Sequence, residues 1–177
     1  MKRTLTILAL AGLVAAPAFA ARTVGDTAPD FTATASIGGT QFEFSLADAR
    51  EKGPVVLYFY PAAFTPGCTI EANAFADATD ELAMYNATVI GVSGDDIETL
   101  DRFSVSECRG RFAVAADPAT TVMDMYDVEN PEREGRAQRI SFVIAPDGEI
   151  IFAHEDRDPI AHVNGAKEAV INWAATH

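Results

Sequence analysis

Only two cysteines occur in the 177 residues, Cys68 and Cys108. The first stands in Phe59-Tyr60-Pro61-Ala62-Ala63-Phe64-Thr65-Pro66-Gly67-Cys68-Thr69. An apolar run ends, a loop with two prolines and a glycine follows, and the cysteine falls where a helical pattern begins. The first turn of a helix carries unpaired backbone N–H groups and the positive end of the helix dipole. Both favour a thiolate, the nucleophilic form of cysteine. Thr65 places a hydroxyl three residues before the sulfur. Pro61 and Pro66 stiffen the loop, and Pro61 is placed to shield the sulfur from bulk water. Such a thiolate suits attack on a weak bond with a good leaving group, of which the O–O bond of a peroxide is one. The N–H groups of Gly67 and Cys68, joined by a cation from elsewhere, would hold the negative charge that builds.

Arg139 is the candidate cation, at the start of the apolar run Ile140-Ser141-Phe142-Val143-Ile144. Arg136 competes with it, and either also reads as a solvated loop arginine. Glu71 lies one helical turn beyond Cys68. It can orient an arginine fork, although glutamates are common near helix starts without that role.

Alternating elements must position these groups. Phe31–Ala35 and Thr40–Phe44 flank Ile37-Gly38-Gly39, which predicts a hairpin. Ser45 or Asp48 caps a short turn that ends near Gly53-Pro54. Pro54–Tyr60 is a continuous β-branched and aromatic run, the pattern of a strand buried on both faces. Gly67–Tyr85 is helical, with Ile70, Ala74, Phe75, Ala78, Leu82 and Tyr85 near one face. Thr88–Val92 is a second buried strand. Asp95 or Asp96 caps a helix that stops near Gly110 and has Cys108 near its end. Phe112–Ala115 is a short strand, and Thr120–Tyr126 a short helix. Pro146-Asp147-Gly148 joins strands Arg139–Ala145 and Glu149–Ala153, and a last helix runs from Asp158 or Pro159 to Ala174. The order predicts an α/β protein: a thioredoxin-like fold, its central mixed sheet flanked by helices, with an N-terminal β-hairpin extension.

Residues 1–20 have the three-part layout of a secretory signal peptide: basic Lys2-Arg3, an apolar run from Leu5 to Ala16, then Ala18-Phe19-Ala20. That predicts cleavage after Ala20, a single domain over 21–177, and an exported, periplasmic or secreted protein. The run is shorter than the roughly 20 apolar residues that cross a bilayer. Loss of Lys2 and Arg3 from 13 basic residues leaves 11 against 26 acidic ones, a net charge of about −15. A surface of that sign repels nucleic acid and anionic lipid, so neither is expected as a partner. His154, His162 and His177 have no ligand spacing to a cysteine, so no metal and no cofactor are expected.

Pro61-x-x-x-Thr65-x-x-Cys68, with Phe-Tyr-Pro at its start and Thr-Pro-Gly-Cys-Thr at its end, resembles the active-site signature of the peroxiredoxins. The wording is similar to the bacterioferritin comigratory protein, or peroxiredoxin Q, branch. The likeness runs through Val24-Gly25-Asp26-x-Ala28-Pro29-Asp30-Phe31, Gly91-Val92-Ser93, Asp117-Pro118 and Arg139–Gly148. It implies a peroxidase acting on hydrogen peroxide and organic hydroperoxides, with Cys68 as the thiolate that becomes a sulfenic acid. It further implies that Thr65 bonds the peroxide, Pro61 packs over the sulfur and Arg139 stabilises the charge. A thioredoxin-like protein would be the reductant, and the enzyme a monomer or weak dimer.

Many members of that branch carry a resolving cysteine five residues after the first, where this chain has Asn73. Some relatives place it on the next helix, so Cys108 is the candidate, in a setting that Glu107, Arg109 and Arg111 make polar and accessible. A buried structural thiol, or a one-cysteine enzyme resolved by an external thiol, are the alternatives. An exported thiol–disulfide oxidoreductase is a further reading, but its Cys-x-x-Cys is lacking because Thr65 holds the first place.

Overall fold

A computed structural model describes residues 21–177. In chain order it contains β1 (Thr32–Ile37), β2 (Thr40–Ser45), α1 (Leu46–Arg50), β3 (Val55–Phe59), α2 (Pro66–Ala83), β4 (Thr88–Ser93), α3 (Ile97–Ser106), β5 (Ala113–Ala116), α4 (Thr121–Tyr126), β6 (Ile140–Ile144), β7 (Ile150–Glu155) and α5 (Pro159–Ala174). The seven strands form one sheet in the order β2-β1-β5-β4-β3-β6-β7. β3, β4 and β5 run parallel, and β1, β6 and β7 pair antiparallel with their neighbours. This is the mixed, helix-flanked sheet expected of a thioredoxin-like fold.

Every residue of β3 is buried, as its unbroken apolar run requires. Side chains alternate along a strand, and the core divides accordingly. Val55, Leu57 and Phe59 face α1 and α4. Val56 and Tyr58 face the other way, and Tyr60 beyond the strand joins them against α2, α3 and α5. Both thiols lie in this second core.

Local signals account for most boundaries. Ser45 caps α1, its hydroxyl accepting from Asp48 N–H at 3.2 Å, and Asp96 caps α3 by accepting from Thr99 N–H at 2.7 Å. The N-terminal hairpin is more than an extension. β1 joins the sheet by pairing with β5 through Ala35–Ala115 and Ser36–Val114, a long-range contact that the hairpin pattern does not contain. The signal-peptide reading concerns residues 1–20, which lie outside the described residues.

Candidate active site

Cys68 is the third residue of α2. Pro66 opens the helix, where its missing N–H costs nothing, so α2 begins one residue earlier than the expected Gly67. Thr65 is the N-cap, with an extended backbone (φ −77°, ψ 149°). Just before it, Phe64 sits at φ 61°, a left-handed conformation uncommon for an aromatic residue. Its ring packs edge-on against Phe103 of α3, 5.3 Å between centroids. That contact seats the turn which feeds Cys68 into the core, where the free thiol is only 1 % exposed.

The antiparallel pairing of β6 with β3 places Ile140 opposite Phe59. Arg139, one residue earlier, therefore stands where the chain leaves β3 for the cysteine loop. Its Nη2 donates to Cys68 Sγ at 3.3 Å, and its Nη1 donates to Glu71 Oε2. Glu71 has no exposed surface. Burial pushes its carboxyl up, and the adjacent Arg139 guanidinium opposes this by favouring the ionised form. Glu71 and Cys68 together keep the guanidinium charged, against the opposing effect of its own burial. The pairing anticipated between Glu71 and the arginine is present. A further residue matters that the motif alone did not single out for this reason. A Cβ on Gly67 would stand 3.0 Å from Arg139 Nη2, so this glycine leaves room for the cation. Its place beside the cysteine was the available signal.

Thr65 is exposed, and its hydroxyl donates to the Ala62 carbonyl at 3.0 Å; among the described residues it makes no hydrogen bond to the sulfur. Pro61 is half-buried and borders, with Arg139, a cavity of about 540 Å³. Arg136, the competing cation, is engaged elsewhere. Its Nη1 donates to Asp95 Oδ1 at 2.8 Å and to the Pro61 carbonyl at 3.4 Å. The sequence offers Asp95 as a possible helix cap, a role that Asp96 takes instead.

Cys108 departs from expectation. It is fully buried rather than accessible, and lies two residues beyond the end of α3. Glu107 and Arg109 do carry polar side chains outward, as the sequence pattern suggests. The backbone, however, turns through left-handed conformations at Arg109 (φ 53°) and Gly110 (φ 63°), and this leaves Cys108 facing the core. Burial, then the neighbouring Glu107 carboxylate, push its thiol pKa well up. Asn73 Nδ2 donates to Glu107 Oε2 at 3.3 Å, and Arg109 Nη2 donates to the Asn73 carbonyl at 2.8 Å. These bonds dock the Cys108 loop on α2. Tyr58, Tyr60, Phe75, Phe103 and Phe112 pack in the same core as both sulfurs.

A thiol at a helix start, held against an arginine on a thioredoxin-like sheet, has the architecture of a cysteine peroxidase. The comparisons agree. The AhpC/TSA family model matches residues 24–153. Peroxiredoxin Bcp of Escherichia coli K12 is 33 % identical over 158 residues, covering 86 % of this chain and 96 % of that protein. A putative peroxiredoxin of Mycobacterium tuberculosis H37Rv is 34 % identical over 147 residues, covering 80 % and 90 % respectively. The crystal structure of peroxidoxin BcpB from Mycobacterium tuberculosis superposes with a TM-score of 0.77 at 31 % identity, over 84 % of this chain and 96 % of that one. The chain belongs to the AhpC/TSA family, in its Bcp, or peroxiredoxin Q-like, branch. It is a peroxiredoxin, an oxidoreductase of the thiol peroxidase class.

Proposed function

We propose that Cys68 is the peroxidatic residue and reduces hydrogen peroxide and organic hydroperoxides. The observation that carries this is the Arg139 guanidinium, which bridges Cys68 Sγ and the buried Glu71 carboxylate. The thiolate attacks one peroxide oxygen and the O–O bond breaks. The other oxygen leaves as water or an alcohol after taking up a proton, and Cys68 becomes a sulfenic acid. Arg139 stabilises the thiolate and the charge spreading over both oxygens. The Thr65 hydrogen is engaged by Ala62, so the lone pairs of its oxygen are left to accept a bond from the peroxide O–H. Pro61 lines the cavity beside Arg139 and takes the part of the residue that packs over the sulfur. That cavity is lined by Arg133, Gln138, Asp156 and Arg157 as well as Pro61 and Arg139, which suits small hydrophilic hydroperoxides better than long acyl chains.

Cys108 then condenses with the sulfenic acid, forming a disulfide and releasing water, and a thioredoxin-like dithiol supplies two electrons to reopen it. Docking of the Cys108 loop on α2 supports this route. Both sulfurs are buried and Cys68 is held by Arg139, so the Arg139–Cys68 contact gives way, with local unwinding at the start of α2, as the S–S bond forms. The enzyme works as a monomer or weak dimer, exported to the periplasm or secreted as a single domain from Ala21 onward.

Stopped-flow mixing of the reduced protein with hydrogen peroxide tests the first step. Rapid loss of one thiol is expected, and it should be absent in Cys68→Ser; equal rates in the two proteins overturn the assignment. Non-reducing mass analysis after one equivalent of peroxide should show a Cys68–Cys108 linkage, and a lasting sulfenic acid rules out Cys108 as resolver. Export is tested by N-terminal sequencing of periplasmic material: a chain starting at Ala21 is expected, and one retaining Met1 in the cytoplasm refutes it.

A further inference from the structure

Asp95 gathers three donors onto one carboxylate. Oδ2 accepts from the Ala63 N–H at 2.7 Å and from the Ser93 hydroxyl at 2.9 Å, and Oδ1 accepts from Arg136 Nη1 at 2.8 Å. The same Arg136 nitrogen reaches the Pro61 carbonyl at 3.4 Å. The Asp95 side chain is 12 % exposed, so these bonds are largely withdrawn from water. Two glycines permit the arrangement. A Cβ on Gly94 would collide with the Gly135 carbonyl, so only glycine lets the segment bearing Arg136 lie on the end of β4. The pair thus joins three separate stretches: the end of β4, the loop before β6, and the Pro61–Ala63 turn that leads to Cys68.

We propose that Asp95 and Arg136 are a positioning pair for the peroxide reaction, clamping the Pro61–Ala63 turn so that Pro61 and the start of α2 are held around Cys68. The proposal deepens the peroxidase reading and rests on it for its kinetic part. The clamp is needed because the turn is strained. Phe64 at φ 61° follows Ala63 directly, and a non-glycine residue persists in that region only where its surroundings over-determine it. Phe103 holds the ring of Phe64 from one side, while Asp95 holds the preceding amide from the other. Among the described residues neither member of the pair hydrogen-bonds Cys68; both act through the turn. With the clamp released, Pro61 and the helix start drift relative to Arg139, and small misplacements of reacting groups are costly in rate.

Arg136 is half-exposed, so Arg136→Ala leaves the core intact and is the first test. Cys68 oxidation by hydrogen peroxide should slow about tenfold in this variant. Arg136→Lys, which can still reach Asp95 but lacks the forked guanidinium, should recover part of the rate. Amide exchange at Ala63 should accelerate while protection along β3 and β6 stays as in the parent. Asp95→Asn should show the same pattern more strongly. Arg136→Ala oxidising at the parent rate overturns the proposal, as does a rate loss that merely follows lost protection across the whole sheet. The exchange measurement needs no peroxide and therefore separates the two claims. An inert parent thiol would refute the peroxidase reading, whereas unchanged Ala63 exchange in Arg136→Ala would refute the clamp.

Discussion

Arg139 and Cys68 are 71 positions apart in the chain, yet Nη2 of one lies 3.3 Å from the sulfur of the other. The arginine side chain is only 11 % exposed, and its second nitrogen is spent on a carboxylate with no exposure at all. A cation so placed cannot swing away from the thiol without leaving Glu71 buried and unpaired, which is costly. Replacing Arg139 with Gln should therefore slow Cys68 oxidation by about 10²–10³, the range found on removing a charge-stabilising donor. Competition kinetics against a reference peroxidase, with equal protein concentrations, would measure it.

Gly67→Ala offers a case where stability and activity move in opposite directions. Alanine in place of glycine inside a helix stabilises by about 0.5–1 kcal/mol, and Gly67 has no left-handed φ to forbid it. The new methyl meets Arg139 Nη2 at 3.0 Å, and the guanidinium has to shift only by a few tenths of an ångström, keeping its bond to Glu71 while its distance to Cys68 Sγ changes. Thermal unfolding should show an unchanged or raised midpoint, while the peroxide rate constant falls.

The buried state of Cys108 predicts its reactivity. In Cys68→Ser, the remaining thiol should alkylate very slowly with iodoacetamide under native conditions and promptly in denaturant, followed by mass spectrometry. Brief alkylation of the native variant would show that the loop after α3 opens readily.

His162 carries a pH dependence of stability. The ring is fully buried; Nδ1 bonds Ser141 Oγ at 2.9 Å and Nε2 bonds the Asp156 carbonyl at 2.9 Å. Burial lowers its pKa from 6.5 to about 4. Between those values the unfolded chain takes up a proton that the folded chain refuses, so stability is full above about pH 6.5 and falls as pH drops toward 4. A series of thermal melts from pH 7.5 to 4.5 should show this decline. His162→Asn should be less stable at pH 7.5 but flatter across the series; an equally steep fall in the variant would assign the acid sensitivity to other groups.

Much of the molecule was legible along the chain because the signals are local. The apolar run 54–60 could only be a strand buried on both faces, and Pro146-Asp147-Gly148 could only be a turn. The approach to Cys68 is equally local: a strand end, prolines, a glycine and a helix start all lie within a few residues. The position of α2, and of Cys68 in its first turn, follows from backbone preferences that the neighbouring residues impose.

Other features depended on which distant segments meet. Arg136 and Arg139 are both loop-side arginines ahead of β6. The register that sets Ile140 against Phe59 delivers Arg139 to the sulfur, while Arg136 goes to Asp95, 41 positions away. The polar neighbours of Cys108 suggested exposure, but two left-handed residues and the bonds to Asn73 turn the thiol inward. Residue type and spacing therefore determined which cysteine opens a helix, the helix itself and the α/β class. Tertiary structure alone decided which cation meets the thiolate and where the second thiol is hidden, because sheet register and loop docking are set by contacts between segments far apart in the chain.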